Sequence, residues 1–156
     1  MTISHLRLQS ALVECERHIY HLFHALTITQ NFSPLTSHSF QTLSDSQIQV
    51  IDQFILRFSK LQDAMGHRLF PALLQYLGES FEERPMIDKL NHLEKFGFIE
   101  KAEQWLELRN IRNKFSLDYP DNPEKNAELL NLAFQVAIEL KAIFTRIKDK
   151  LSIIEN

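Results

Sequence analysis

Apolar residues along this chain return every three or four positions, the period of an α-helix, wherever a period exists at all. From Ser4 to Thr29, the residues Leu8, Ala11, Leu12, Cys15, Ile19, Leu22, Phe23 and Leu26 fall on one stripe and predict a first helix. Gln30 to Leu43 carries Pro34 and several Ser and Thr without a period, which predicts a loop. Structureless loops of that length are uncommon unless they have a role. Phe32, Leu35 and Phe40 are expected to pin this one to the bundle. A second helix is expected from Ser44, where Gln47 three residues later completes a capping-box pattern. Ile48, Ile51, Phe54, Ile55, Phe58, Leu61, Met65 and Leu69 continue it. Pro71 lacks a backbone donor and its ring meets the carbonyl of His67, so a kink is expected there, with Gly78 ending the helix. Pro85 reads as the first residue of a short third helix to about Phe96, stopped by Gly97. The fourth helix is expected from about Ile99 to Ser116. The fifth follows Asn122, with Pro123 at its first position and Glu124 at its positive end, and runs to about Ile153. Five helices with short connections outside one loop predict an all-α, up-down helical bundle, a single domain over residues 1–156.

Composition narrows the class further. At 156 residues the chain can bury a sizeable core without a metal or a disulfide, and its one cysteine, Cys15, has no partner. No stretch approaches the roughly 20 apolar residues that cross a bilayer. The N-terminal stretch lacks the basic-then-apolar layout of a secretory signal, so a cytoplasmic location and no membrane partner are expected. With 17 Lys and Arg against 20 Asp and Glu, the formal net charge of −3 argues against bulk attraction to duplex DNA but permits a local basic patch.

Most candidate chemistry reduces to ordinary helix. Cys15, His18, His21 and His24 recur every three residues, which spreads them over roughly half the helix circumference. They cannot all face one metal; Glu14 with His18 and His21 would make a weak zinc set at best. No metal and no cofactor are expected.

The exception runs from Trp105 to Pro120. Trp105, Leu108, Ile111 and Phe115 make one apolar stripe, with Trp105 a core anchor or a stacking platform. Arg109, Arg112 and Ser116 follow one another along its border at spacings of three and four. Two permanently charged, bidentate guanidiniums on one border suit a phosphate, and Asn113 adds a neutral donor and acceptor beside them. The plainer alternative is that both arginines pair with acids such as Glu103, Glu107 or Glu124.

This segment resembles the signature of HEPN-domain proteins, small α-bundles that include toxin components of bacterial toxin–antitoxin pairs. Their motif is Arg, a polar residue that is usually Asn, three more residues, His, one residue, Tyr. Arg112, Asn113 and Tyr119 fit it, and Leu117 stands at the histidine position. The resemblance implies a metal-independent ribonuclease site at a homodimer cleft, where histidine moves the proton and arginine holds the scissile phosphate. Arg112 would then be the phosphate holder, with Arg109 beside it and Asn113 orienting it. Leu117 exchanges no proton, and loss of that help costs about 10²–10⁴-fold in rate. A displaced histidine such as His67 or His92 is the alternative.

Some HEPN toxins are silenced by a small nucleotidyltransferase that adenylylates the motif tyrosine, and Tyr119 occupies that place. A related branch, the nucleotidyltransferase substrate-binding subunits, has no catalytic duty. The resemblance therefore implies a HEPN-type component of a toxin–antitoxin-like pair, without strong catalysis, that binds nucleotide or RNA phosphate beside a minimal nucleotidyltransferase. An endoribonuclease using Arg112 with a displaced histidine, and a non-enzymatic dimeric interaction bundle, are the other readings.

Overall fold

The computed structural model describes residues 2–79, 83–115 and 122–155. Among them the chain is all-α, with helices α1 (Ile3–Thr29), α2 (Ser37–Gln41), α3 (Asp45–Ala64), α4 (Phe70–Tyr76), α5 (Met86–Lys95), α6 (Ala102–Lys114) and α7 (Pro123–Glu155). A π-helical turn, Met65–Leu69, joins α3 to α4 without a break. The expected five rods are therefore α1, the α3–α4 rod, α5, α6 and α7. No described helix is long and apolar enough to cross a membrane.

Several rod ends have a local reason. Thr2 accepts from the His5 amide to cap α1. Ser44 and Gln47 close the expected capping box in both directions, at 3.2 and 2.9 Å. Asn122 accepts from the Lys125 amide at 3.0 Å and opens α7. Gly78 and Gly97, both at positive φ, end their helices in paired return bonds: Glu79 to Leu74 with Gly78 to Gln75, and Phe98 to Leu93 with Gly97 to Glu94.

Three expectations need correction. The segment Gln30–Leu43 is not structureless, since it contains α2. Thr36 and Ser39 cap that helix reciprocally, and the Asn131 amide of α7 holds Leu35 by both its N–H and its carbonyl at 2.8 Å. Leu35 is buried, while Phe32 and Phe40 pack on the core as pins. The fourth helix begins at Ala102, not near Ile99. Phe98 and Ile99 are buried as a turn, Lys101 is extended, and Glu94 of α5 accepts from the Ala102 amide at 3.0 Å. Pro85 is the residue before α5 and not its first.

The irregularity expected at Pro71 lies one turn earlier. Proline cannot donate to the carbonyl four residues back and crowds it. The chain widens ahead of it, and Phe70 donates back five residues to Met65. Within this turn Met65, Gly66 and Leu69 face the core, whereas the consecutive residues His67 and Arg68 face out.

Apolar stripes converge on one core. Phe54 stacks on Phe58 and meets Phe134 of α7 edge-on at 4.8 Å, and Phe58 meets Phe115 at 5.9 Å, so an aromatic series ties α3 to α7 and to the end of α6. Cys15 is buried, and burial with the charges of Glu14 and Glu16 pushes its thiol up to about 12, which keeps it neutral and inert.

His18 is buried between α1 and α3, where its Nδ1 accepts from Arg57 Nη1 at 3.0 Å. Burial, then the charge of Arg57, hold it below the ordinary histidine value of 6.5, with Lys60 and Arg17 adding and Glu14 opposing. A base with a lowered folded pKa gives its full stability above its unfolded pKa and loses it as pH falls from there through the folded pKa. Thermal melts should therefore drop as pH is lowered from about 7 to about 5. His18→Gln should flatten that drop, and an unaltered slope in this variant would contradict the assignment.

Candidate anion-binding cleft

A cleft of about 320 Å³ opens where α6 crosses the end of α3. Gln62 and Asp63 come from the last turn of α3, Gly66 and His67 from the π-helical turn, and Met86 from the start of α5. Trp105, Arg109, Arg112 and Asn113 come from α6. The spacing of Trp105, Leu108 and Ile111 sets this geometry, because burying that stripe leaves Arg109 and Arg112 along its margin. Gly66 lets the two elements approach, since a Cβ there would lie 3.1 Å from the Trp105 ring. Trp105 also meets Phe70 edge-on at 4.6 Å and is 1% exposed, so it is the core anchor while its ring lines the cleft.

Arg112 and Asp63 form a bidentate pair, Nε to Oδ1 at 3.0 Å and Nη2 to Oδ2 at 2.9 Å. The partner of Arg112 is thus an aspartate 49 residues away, not one of the glutamates near it in sequence. The Arg112 hydrogen bond, opposed by burial and aided by the charges of Arg112, His67 and Arg109, holds Asp63 below the usual carboxylate value of 3.8. The same bond raises Arg112 further. Asp63 is therefore ionised at neutral pH, and it fixes the plane of the guanidinium. Both partners are partly exposed, so the pair is worth about 1 kcal/mol or less in stability. Its larger effect is to orient the charge.

No carboxylate among the described residues lies within ion-pair distance of Arg109. Among the described residues, two arginines and one aspartate line the cleft. Three buried polar atoms on the lining, Gln62 Nε2, Gln62 Oε1 and Trp105 Nε1, have no hydrogen-bond partner among the described residues. A native core rarely leaves such groups alone, because each costs about 1–3 kcal/mol. The site thus holds an arginine, Arg109, that no described carboxylate pairs, beside buried polar atoms with no partner among the described residues. Among the lining groups, His67 carries the imidazole, the side-chain type most often used for proton transfer.

Arg109, Arg112 and Asn113 all line this cleft. Leu117 and Tyr119, and Ser116 with them, lie outside the described residues. Of the two distant histidines, His67 lines the cleft, whereas His92 packs beside Phe96 within α5. Gln62, Asp63 and Met86 were not visible in the sequence as site residues, since nothing local marks a partner from another helix. Gly66 left a faint signal as a rare glycine within a helical pattern. Cys15, His18, His21 and His24 do not gather, and no described group of three acids, histidines or cysteines is arranged to hold a metal. Compared with models of protein families, with curated proteins and with solved structures, the chain finds no match in any of the three.

Proposed function

We propose that this protein is a HEPN-type component of a bacterial toxin–antitoxin-like pair, which binds RNA or nucleotide phosphate without strong catalysis beside a small nucleotidyltransferase. The observation that carries the binding half is the cleft, which Arg109, Arg112 and Asn113 line together with Gln62 and Trp105, whose buried polar atoms have no partner among the described residues. The spacing of Arg112, Asn113 and Tyr119 supports the family half, with Leu117 in the histidine place as the reason for weak catalysis. Tyr119 is the residue that the nucleotidyltransferase would modify. A homodimer that places two copies of Arg112 in one cleft completes the reading.

Binding of a labelled single-stranded RNA tests it. Wild type should bind without cleaving, and Arg109→Ala with Arg112→Ala should weaken binding by about tenfold or more. Equal binding by both proteins would overturn the reading. A small nucleotidyltransferase gene adjacent to this one would support the pairing.

The position of His67 favours one second reading, an endoribonuclease in which His67 replaces the motif histidine. It requires that wild type cleave RNA and that His67→Ala abolish cleavage while the fold survives.

A further inference from the structure

A second cleft, of about 310 Å³, lies on the other side of the π-helical turn. Arg7, Ser10 and Ala11 of α1 form one wall, and Pro71, Ala72 and Gln75 of α4 the other. His67 and Arg68 complete it, and His67 also lines the first cleft, so the two hollows share a wall one side chain thick. His67 and Arg68 lie on the π-helical turn as consecutive exposed residues, which puts both at the boundary between the hollows.

We infer that the second cleft is another phosphate subsite, and that single-stranded RNA crosses the π-helical turn at His67 to occupy both. This rests on the reading of the first cleft as a phosphate site. Arg7 and Arg68 supply the charge. Arg7 Nη1 donates to Gln75 Oε1 at 3.3 Å, and Arg68 Nη1 to Glu14 Oε1 at 2.6 Å. Arg7 thereby reaches across the groove to the α4 wall, Arg68 pairs with Glu14 of α1 beside it, and both arginines remain exposed. Among the described residues the two linings hold four arginines and one carboxylate, Asp63, with Glu14 paired to Arg68 from beside the second hollow, in a chain whose net charge is −3. The positive track is therefore local, not a reflection of composition.

The size of the hollows selects the ligand class. Each is at the small end of the range for binding pockets, about 300 Å³, and suits one nucleotide unit and not a duplex. A ligand with one phosphate would fill one hollow and leave the other pair of arginines unused. A flexible strand with consecutive phosphates uses both.

The test compares a six-nucleotide single-stranded RNA with adenosine 5′-monophosphate on three full-length proteins: wild type, Arg7→Gln with Arg68→Gln, and Arg109→Ala with Arg112→Ala. Melting temperatures confirm that each is folded. The Arg7 and Arg68 variant should bind the RNA about tenfold or more weakly, and the slope of log affinity against log salt should fall by about one to two. Wild type should bind the RNA more tightly than the mononucleotide. If the Arg109 and Arg112 variant loses RNA binding while the Arg7 and Arg68 variant keeps it, the second subsite is wrong and the first cleft stands. If the mononucleotide binds as tightly as the RNA, a one-phosphate ligand is the occupant and the track is wrong. If neither variant weakens RNA binding, the reading of the first cleft fails, and the track with it.

Discussion

Leu117→His should raise RNA cleavage by about 10²–10⁴-fold, the usual worth of a placed general acid or base. A leucine side chain carries no titratable atom, so it can neither take a proton from a 2′-hydroxyl nor give one to a leaving oxygen. Arg112 is already fixed by its two bonds to Asp63, and Arg109 and Asn113 lie beside it, so phosphate positioning does not depend on the substitution. On the proposed HEPN-type reading, a histidine at position 117 would supply the missing proton carrier. Adding Arg112→Ala to Leu117→His should return cleavage to background. Three purified proteins decide it: wild type, the single variant and the double variant. If wild type already cleaves, the non-catalytic reading is wrong, and His67→Ala becomes the decisive variant. If none cleaves, the ribonuclease analogy loses its support, and the protein should be examined as an interaction bundle.

Trp105→Ala should lower the stability of the fold by about 3–5 kcal/mol, the range for removing a large buried aromatic. Trp105 is 1% exposed, meets Phe70 edge-on, and sits where α6 approaches Gly66. Deleting it leaves a void between the α3–α4 rod and α6, the two elements that form the cleft. The cleft should therefore lose its shape along with the stability. Trp105→Phe separates the two effects. Phenylalanine keeps the aromatic contact with Phe70, and the lost indole N–H has no hydrogen-bond partner among the described residues. Its cost should be well under half that of Trp105→Ala. Denaturant unfolding of the three proteins measures this. Equal losses for the two variants would show that the indole N–H holds a partner essential to the fold.

The fold was legible because helices advertise themselves. The stripes of α1, α3 and α7, the Ser44 and Asn122 caps and the Gly78 and Gly97 stops follow from neighbours within a few residues. What failed depended on distant partners. The short helix α2 rests on Asn131, 96 residues from Leu35, and the start of α6 rests on a glutamate of α5. The π-helical turn was anticipated only as a kink, because a proline announces that the ladder must open and not which turn will open.

The site divides in the same way. Arg109, Arg112 and Asn113 share one helix, so their spacing alone placed them together. Asp63, Gln62 and Gly66 belong to another helix and enter only through packing. His67 could be named as a distant candidate, but only the crossing of the α3–α4 rod over α6 distinguishes it from the other six histidines. The second cleft was invisible in sequence for the same reason: Arg7 and Arg68 are 61 positions apart and joined by nothing but the packing of α1 on the π-helical turn.

Trp105 is the only tryptophan in the chain, and its ring lines the first cleft. Its indole N–H therefore gives a single, unambiguous nuclear magnetic resonance signal at the site. The most direct measurement is to follow that signal while a six-nucleotide single-stranded RNA is titrated into wild type and into Arg109→Ala with Arg112→Ala. A saturable shift in wild type that vanishes in the variant is the predicted result. An indole signal that stays in place while RNA binds elsewhere, or that shifts equally in both proteins, would contradict the assignment of this cleft as the phosphate site.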